Sequence, residues 1–387
     1  MAKAVPDPGH VILFTHEGFS YESLRSLGTG PHGEDLVLAR KRTAENILER
    51  VLLKCVALPP GEPSVDTQRT RARLEEEVRL ATYLHHRCLV RVLGQQQTPE
   101  ALYTLLEYVR GPTLDELVTL SLERGKPFSE AFTLYLGAEL ASALDHVHTR
   151  EDEHGHRLGI VHRNLSTETI RLTGAGEVKL ADFSLARSEL PGRRASTLRK
   201  PRGPLFFSAP ETILAGRADA RSDLFALGLV LLEFATGRHL FDPAHKTYTE
   251  LRSALAGAER RRVQRLVREA LAAGHGDMAQ QAIWGAATFT RTDVEQATAS
   301  LSAPLKATLE RLLRRNPEER FQEAQELEDT LREQLERLGA YAGSSAVAEI
   351  RQALAEAGQV LVSHELAPGL LAAGLVRSGS PQQPSTR

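Results

Sequence analysis

Apolar positions along the chain fall into two regimes. Over residues 21–58 they recur with strand-like spacing: Leu36, Val37, Leu38 and Ala39 follow a glycine cluster, and 51–58 forms a second apolar run. Pro59, Pro60, Gly61 and Pro63 then break the chain. Residues 68–85 predict a helix with Leu74, Val78, Ala81 and Leu84 on one face. Two more strands are expected at 89–93 and 102–109, parted by a polar turn. Beyond Gly111-Pro112 the period becomes helical, with helices over 113–124 and 129–149. Two short strands flank Gly174-Ala175-Gly176, a hairpin signal. From Ser222 onward the chain reads as helical, including a polar helical expansion over 243–303 and two helices over 323–357. A sheet-rich part followed by a helix-rich part predicts an α+β, bilobal architecture with a cleft between lobes. The expected division is a lead-in at 1–18, a small β-rich lobe with one main helix at 19–110, a larger helical lobe at 111–338, a helical extension at 339–377 and a disordered tail at 378–387.

Composition narrows the functional classes. Apolar residues make up 41% and charged residues 25%, enough to bury a large core. The formal charge of −2 gives no case for nucleic acid or an anionic membrane as partner. Cys55 and Cys88 are the only cysteines, which excludes a disulfide framework or a cysteine zinc site and fits a reducing cytoplasm. Pro6 and Pro8 interrupt the start where a signal peptide needs an apolar run. The longest apolar stretch, 224–232, is too short to span a bilayer and reads as a buried helix.

Five short motifs carry candidate chemistry. Gly28, Gly30 and Gly33 form a G-x-G-x-x-G before strand-like residues, so a glycine-rich hairpin is favoured over a dinucleotide fold; alone, an ordinary turn reads equally well. Lys54 lies in an apolar strand and needs an anion or a route to water. Glu77 falls on the apolar stripe of its helix and is the candidate partner, with a solvent-edge position as the alternative. His162-Arg163-Asn164-Leu165, Asp182-Phe183-Ser184 and Ala209-Pro210-Glu211 complete the series.

In this order the five motifs resemble the eukaryotic-like Ser/Thr protein kinase family in its bacterial branch, over about 21–338. The resemblance implies ATP and Mg2+ as cofactors. It implies a nucleotide site at Gly28, Gly30, Gly33, Leu36, Leu52, Lys54, Leu106, Glu107 and Val109, with Leu106 as gatekeeper of the hinge. It makes Asp182 and Thr169 the metal positions, and it pairs Lys54 with Glu77. Asp223 matches the acid that anchors the catalytic loop, and Arg320 the arginine that pairs with Glu211.

Departures from the family pattern bear on function. Asn164 stands where the family has the aspartate that accepts the substrate hydroxyl proton, and an amide is no proton acceptor near neutral pH. Losing a general base typically slows a reaction by roughly 10²–10⁴-fold. Thr169 replaces the asparagine ligand of the second magnesium, Ser184 the glycine after Asp182-Phe183, and Leu52 the alanine of the adenine wall. Strict motif spacing would put Asp35 over the base, whereas the alternation of Leu36 and Leu38 points to a one-residue insertion. The expectation is a degenerate, pseudokinase-like module that regulates or scaffolds protein partners, an active kinase or its substrate, with ATP as a possible ligand. The alternative is a weakly active ATP-dependent Ser/Thr kinase. The basic segment 187–202 carries Ser196 and Thr197 as candidate phosphorylation positions beside a plain solvated-loop reading. His148, His154, His156 and His162 read as solvated or hydrogen-bonded rather than metal-binding.

Overall fold

The structure is a computed structural model. It describes residues 11–30, 32–58, 60–190, 205–242, 246–272 and 276–358. The chain divides into two compact units: residues 1–109 together with 182–185, and 110–181 together with 186–387. The short segment from Asp182 to Leu185 thus groups with the first unit, although in sequence it falls within the predicted second lobe.

The first unit is an antiparallel sheet with one helix. Its strands are β1 (Ile12–His16), β2 (Phe19–Thr29), β3 (Asp35–Arg42) and β4 (Ile47–Ala57), followed by helix α1 (Val65–Ala81), then β5 (Val92–Gln97) and β6 (Ala101–Glu107). The sheet order is β1-β2-β3-β4-β6-β5. Strand alternation explains its core: Val51 and Leu53 of β4 pack with Phe14, Tyr21, Ala39 and Leu105 on one face. Leu52 and Lys54 therefore belong to the other face.

Three sequence expectations need correction here. The lead-in at 1–18 contains β1, whose Phe14 stacks on Tyr21 with ring centroids 4.6 Å apart. A five-residue strand offers too few alternations to stand out. Helix α1 begins at Val65 instead of 68 because the Ser64 side chain accepts the Thr67 N–H at 3.1 Å, and it ends at Ala81. Strand β5 runs over Val92–Gln97 instead of 89–93, taking in Gln95, Gln96 and Gln97. It is a sheet edge, where pairing to β6 outweighs the weak strand preference of polar residues.

The second unit contains α2 (Leu114–Glu123), α3 (Glu130–His148), the hairpin β7 (Ile170–Leu172) and β8 (Val178–Leu180), α4 (Pro210–Ala215) and α5 (Ala220–Thr236). It continues with α6 (Tyr248–Ser253), α7 (Gly257–Ala272), α8 (Asp277–Thr288), α9 (Arg291–Ala297), α10 (Ala303–Leu312), α11 (Ala324–Leu338) and α12 (Gly343–Glu356). Helix α2 starts with a capping box between Thr113 and Glu116, and α3 with a Ser129 cap. Helix α5 is buried on nearly every side, which its unbroken apolar run foretells. The expansion over 243–303 is less polar than it reads: Ala282, Ile283, Trp284 and Ala286 of α8 are fully buried, and α7 packs Val263, Val267 and Ala270 beside them.

Beyond the motifs, α11 packs along α3, and α12 returns to α2 through an Arg124–Glu356 pair at 3.1 Å. Gly176 and Gly343 meet backbone to backbone so closely that a Cβ on either would collide with the other segment. Cys55 and Cys88 are free thiols. Among the described residues, no helix is long and apolar enough to cross a membrane.

Candidate functional site

In the sheet unit, strand register decides which side chains share a face. Leu36 of β3, Lys54 of β4 and Thr104 of β6 are direct cross-strand partners, and Leu38, Leu52 and Leu106 form the adjacent row. Direct partners point the same way, so Leu36 lies on the Lys54 face while Asp35, opposite Cys55, lies on the other. The register of β2 against β3 slips between Ser26 and Gly28, a bulge just ahead of the first motif glycine.

Lys54 Nζ is held by three carboxylate oxygens: Glu77 Oε1 at 2.9 Å, Glu77 Oε2 at 2.8 Å and Asp182 Oδ1 at 2.7 Å. Lys54 and Glu77 are both buried. Burial alone would discharge the ammonium, but Asp182 and Glu77 hold the Lys54 pKa above the ordinary lysine value. Burial would likewise raise Asp182, yet Lys54 and His32 hold it well below the usual carboxylate range. Glu77 is pushed upward by burial, with Lys54 opposing. Asp182 sits at φ 66°, a left-handed conformation that a non-glycine residue adopts only when its surroundings compel it.

The glycine hairpin closes onto the same cluster. Gly28 and Gly33 take φ of 95° and 86°, and a Cβ on Gly30 would collide with the Glu34 carboxylate. The Gly30 N–H donates to Glu34 O at 2.6 Å and the Gly33 N–H to Gly30 O at 3.1 Å. The His32 N–H donates to Glu34 Oε2 at 3.0 Å, and His32 O accepts from Thr70 Oγ1 of α1 at 2.6 Å. His32 Nε2 lies 3.5 Å from Asp182 Oδ2 and has no hydrogen-bond partner among the described residues. Leu106 is buried, and Glu107 accepts from Arg91 Nε at 2.7 Å; Val109 is buried as well.

The helical unit holds the second group of motif residues. Asp223, near the start of α5, accepts the backbone N–H of His162 at 2.8 Å and of Arg163 at 2.9 Å. His148 Nε2 lies 2.9 Å from the same carboxylate, and His162 Nε2 donates to Ala181 O at 3.1 Å. Burial would raise the Asp223 pKa, but His148, His162 and the Arg163 amide hold it below the usual value. Asn164 is buried on this loop, its N–H donating to His162 Nδ1 at 3.2 Å. The Thr169 hydroxyl is shared between Asn164 O and Ser166 O, both at 3.1 Å, and accepts the Ser166 N–H at 3.0 Å. It staples the loop to itself. Ser196 and Thr197 lie outside the described residues, while His154 and His156 are exposed.

The protein kinase domain model matches residues 21–331. The chain belongs to the protein kinase domain family. Its architecture is the bilobal kinase fold, with a β-sheet N-lobe and a helical C-lobe. Serine/threonine-protein kinase PrkC of Bacillus subtilis is 29% identical over 224 residues, covering 57% of this chain and 31% of the relative. Mitogen-activated protein kinase kinase kinase 3 of Arabidopsis thaliana is 28% identical over 191 residues, covering 49% of this chain and 28% of the relative. The match therefore spans less than a third of either relative.

Kinase domains in general use ATP and Mg2+, but several groups in this chain do not fit them as arranged. Hairpin amides that would face a phosphate donate to Glu34 and Gly30 instead. The two oxygens of Asp182 face Lys54 and His32. Thr169 has its oxygen engaged within its own loop. Among the described residues, no group of three or more His, Cys, Asp or Glu side chains is disposed to hold a metal ion. A cavity of about 230 Å3 in the C-lobe, lined by Leu240, Phe241, Leu251, Phe289, Lys246 and Asp293 among others, involves none of the motif residues.

Reading by motif overlooked His32, Glu34 and Thr70. His32 and Glu34 occupy variable places in or beside the glycine motif. Thr70 is the more legible, because it sits one helical turn before Leu74 on the stripe that carries Glu77.

Proposed function

We propose that this kinase domain is a pseudokinase, a regulatory or scaffold module that recognises protein partners such as an active kinase or its substrate. Asn164 carries the reading. The loop around it is built as a catalytic loop is built, with Asp223 holding the His162 and Arg163 amides. At its functional position stands an amide that cannot take up a proton usefully near neutral pH. Support also comes from Thr169, whose hydroxyl serves the loop, and from the scaffold pairs, which are all present. Arg320 grips Glu211, Asp223 grips the loop, and Lys54 grips Glu77.

One observation favours a second reading, a weakly active Ser/Thr kinase. Lys54 bridges Glu77 and Asp182, the pairing that positions phosphates in active family members. Phosphoryl transfer rests mainly on positioning and charge, so a missing base slows it without forbidding it.

The deciding experiment measures transfer from radiolabelled ATP to a generic basic protein by the wild type and by the double variant Asn164→Asp/Thr169→Asn. The proposal expects no transfer by the wild type that depends on Lys54 and Asp182. Transfer at rates ordinary for kinases, abolished by Lys54→Ala, overturns it in favour of the second reading.

A further inference from the structure

The glycine hairpin is closed by its own side chains, and the chemistry of those side chains is specific. Kinase hairpins offer backbone N–H donors to an anion. Here Glu34, 1% exposed, is that anion: its carboxylate lies inside the turn and accepts the His32 N–H. A buried carboxylate needs donors around it, and the positive charge of Arg73 on α1 attracts both Glu34 and Asp182. Magnesium in this family takes a hard oxygen from the aspartate at the Asp182 position. Here the imidazole of His32 faces Asp182 Oδ2 at 3.5 Å, while Lys54 takes Oδ1 at 2.7 Å. The geometry is fixed from behind, because Thr70 Oγ1 donates to His32 O and so holds the hairpin tip against α1.

We infer that residues 32–34 are an internal stand-in for a metal-bound phosphate, with His32 in the cation's place on Asp182 and the Glu34 carboxylate in the phosphate's place on the His32 amide of the hairpin. The kinase N-lobe is then complete without nucleotide, and a divalent cation reaches Asp182 only when His32 leaves. Nothing in this depends on Asn164; it holds whether or not phosphate is transferred.

Mn2+ alone is the probe for the His32 half, with free Mn2+ counted by electron paramagnetic resonance during titration of the full chain. The wild type is expected to take up little Mn2+ at millimolar concentration. His32→Ala should bind it about tenfold more tightly, and His32→Ala/Asp182→Asn should lose that gain. Thr70→Val, which keeps His32 but unties its carbonyl, should shift uptake in the same direction and covers the case in which His32→Ala fails to fold. Equal uptake by the wild type and whichever of these variants folds overturns the inference, as does a gain that survives Asp182→Asn. For the Glu34 half the probe is inorganic tripolyphosphate, which needs no adenine pocket. Glu34→Gln should gain a thermal shift with it that the wild type lacks, and a wild type that responds equally overturns that half.

Discussion

Arg320 meets Glu211 with two parallel hydrogen bonds, 2.8 Å from each terminal nitrogen to its own carboxylate oxygen. The remaining donors of the guanidinium reach the carbonyls of Arg314, Arg221 and Arg315, so all five N–H groups are placed. Its plane also lies over the Phe225 ring, 4.7 Å from the centroid. Arginine is suited to this position because only a planar fork makes so many contacts at once. Removing it by Arg320→Ala leaves Glu211 and three carbonyls short of donors and should destabilise the C-lobe by about 3–5 kcal/mol. Arg320→Lys keeps the charge but not the fork, so it should recover less than half of that loss. Chemical denaturation, with the midpoint shifting at constant slope, checks both.

Asp223 supplies a second test of the same unit. It accepts two backbone N–H groups and faces His148 Nε2. Asp223→Ala orphans buried donors on the loop that presents Asn164, and each such donor costs about 1–3 kcal/mol. The variant should melt lower than the wild type, and amide exchange at 162–164 should accelerate more than in α5. Uniform acceleration across the C-lobe would mean that Asp223 serves global stability and not the loop.

Much of this was legible beforehand, and the remainder has a common cause. Lys54 on a non-core face follows from strand alternation against Val51 and Leu53, and Glu77 from its place on the Leu74 stripe. Both signals are local periodicities. The His32–Thr70 tie spans 38 residues and the Lys54–Asp182 bond 128, and no local pattern encodes either. Family resemblance supplied Asp182 but was silent on His32, because the motif leaves that place variable. Strand β5 was misjudged for the opposite reason: its glutamines carry little local preference, and a neighbouring strand decides their state. Trp284 is buried on a helix whose apolar residues are flanked by a polar stretch, so local composition does not mark it as core.

Two buried titratable groups in the C-lobe predict opposing pH slopes. Burial drives His239 down from 6.5 to about 3, against Phe206, whose ring stacks at 3.8 Å. The unfolded chain then binds the proton first, so this contribution is complete above about 6.5 and is lost as pH falls toward 3, at about 1.4 kcal/mol per pH unit. Burial, with Asp115 and Asp242 nearby, pushes Glu233 up from 4.5 to about 7. There the native state binds the proton first, so stability falls as pH rises from 4.5 to 7. The two slopes oppose each other across pH 4.5–6.5. Wild-type stability should be nearly flat there with respect to this pair. Glu233→Gln should expose stability that rises with pH, and His239→Phe stability that falls with pH. Melting curves from pH 4.5 to 7 check the signs, and parallel profiles for all three proteins would refute the assignment.

Lys54 gives the sharpest test of the N-lobe because it separates two carboxylates. Glu77 and Asp182 each approach its ammonium within 2.8 Å, and among the described residues no other cationic side chain bonds to Glu77. Lys54→Met keeps most of the length of the side chain and removes the charge. Glu77 and Asp182 then share the site without an ammonium between them, at a cost of about 3–5 kcal/mol near neutral pH. Their pKa values rise in the folded state, so the native variant binds protons that the unfolded chain does not, and its stability must increase as pH falls from 7 toward 5. The wild type, where Lys54 holds Asp182 low and opposes the rise of Glu77, should show a smaller gain. Lys54→Met/Glu77→Leu removes one of the two carboxylates and should recover part of the loss, because an apolar partner suits the methionine better than an unpaired charge. A double variant no more stable than Lys54→Met, at every pH, would show that Glu77 is held by contacts other than the ammonium.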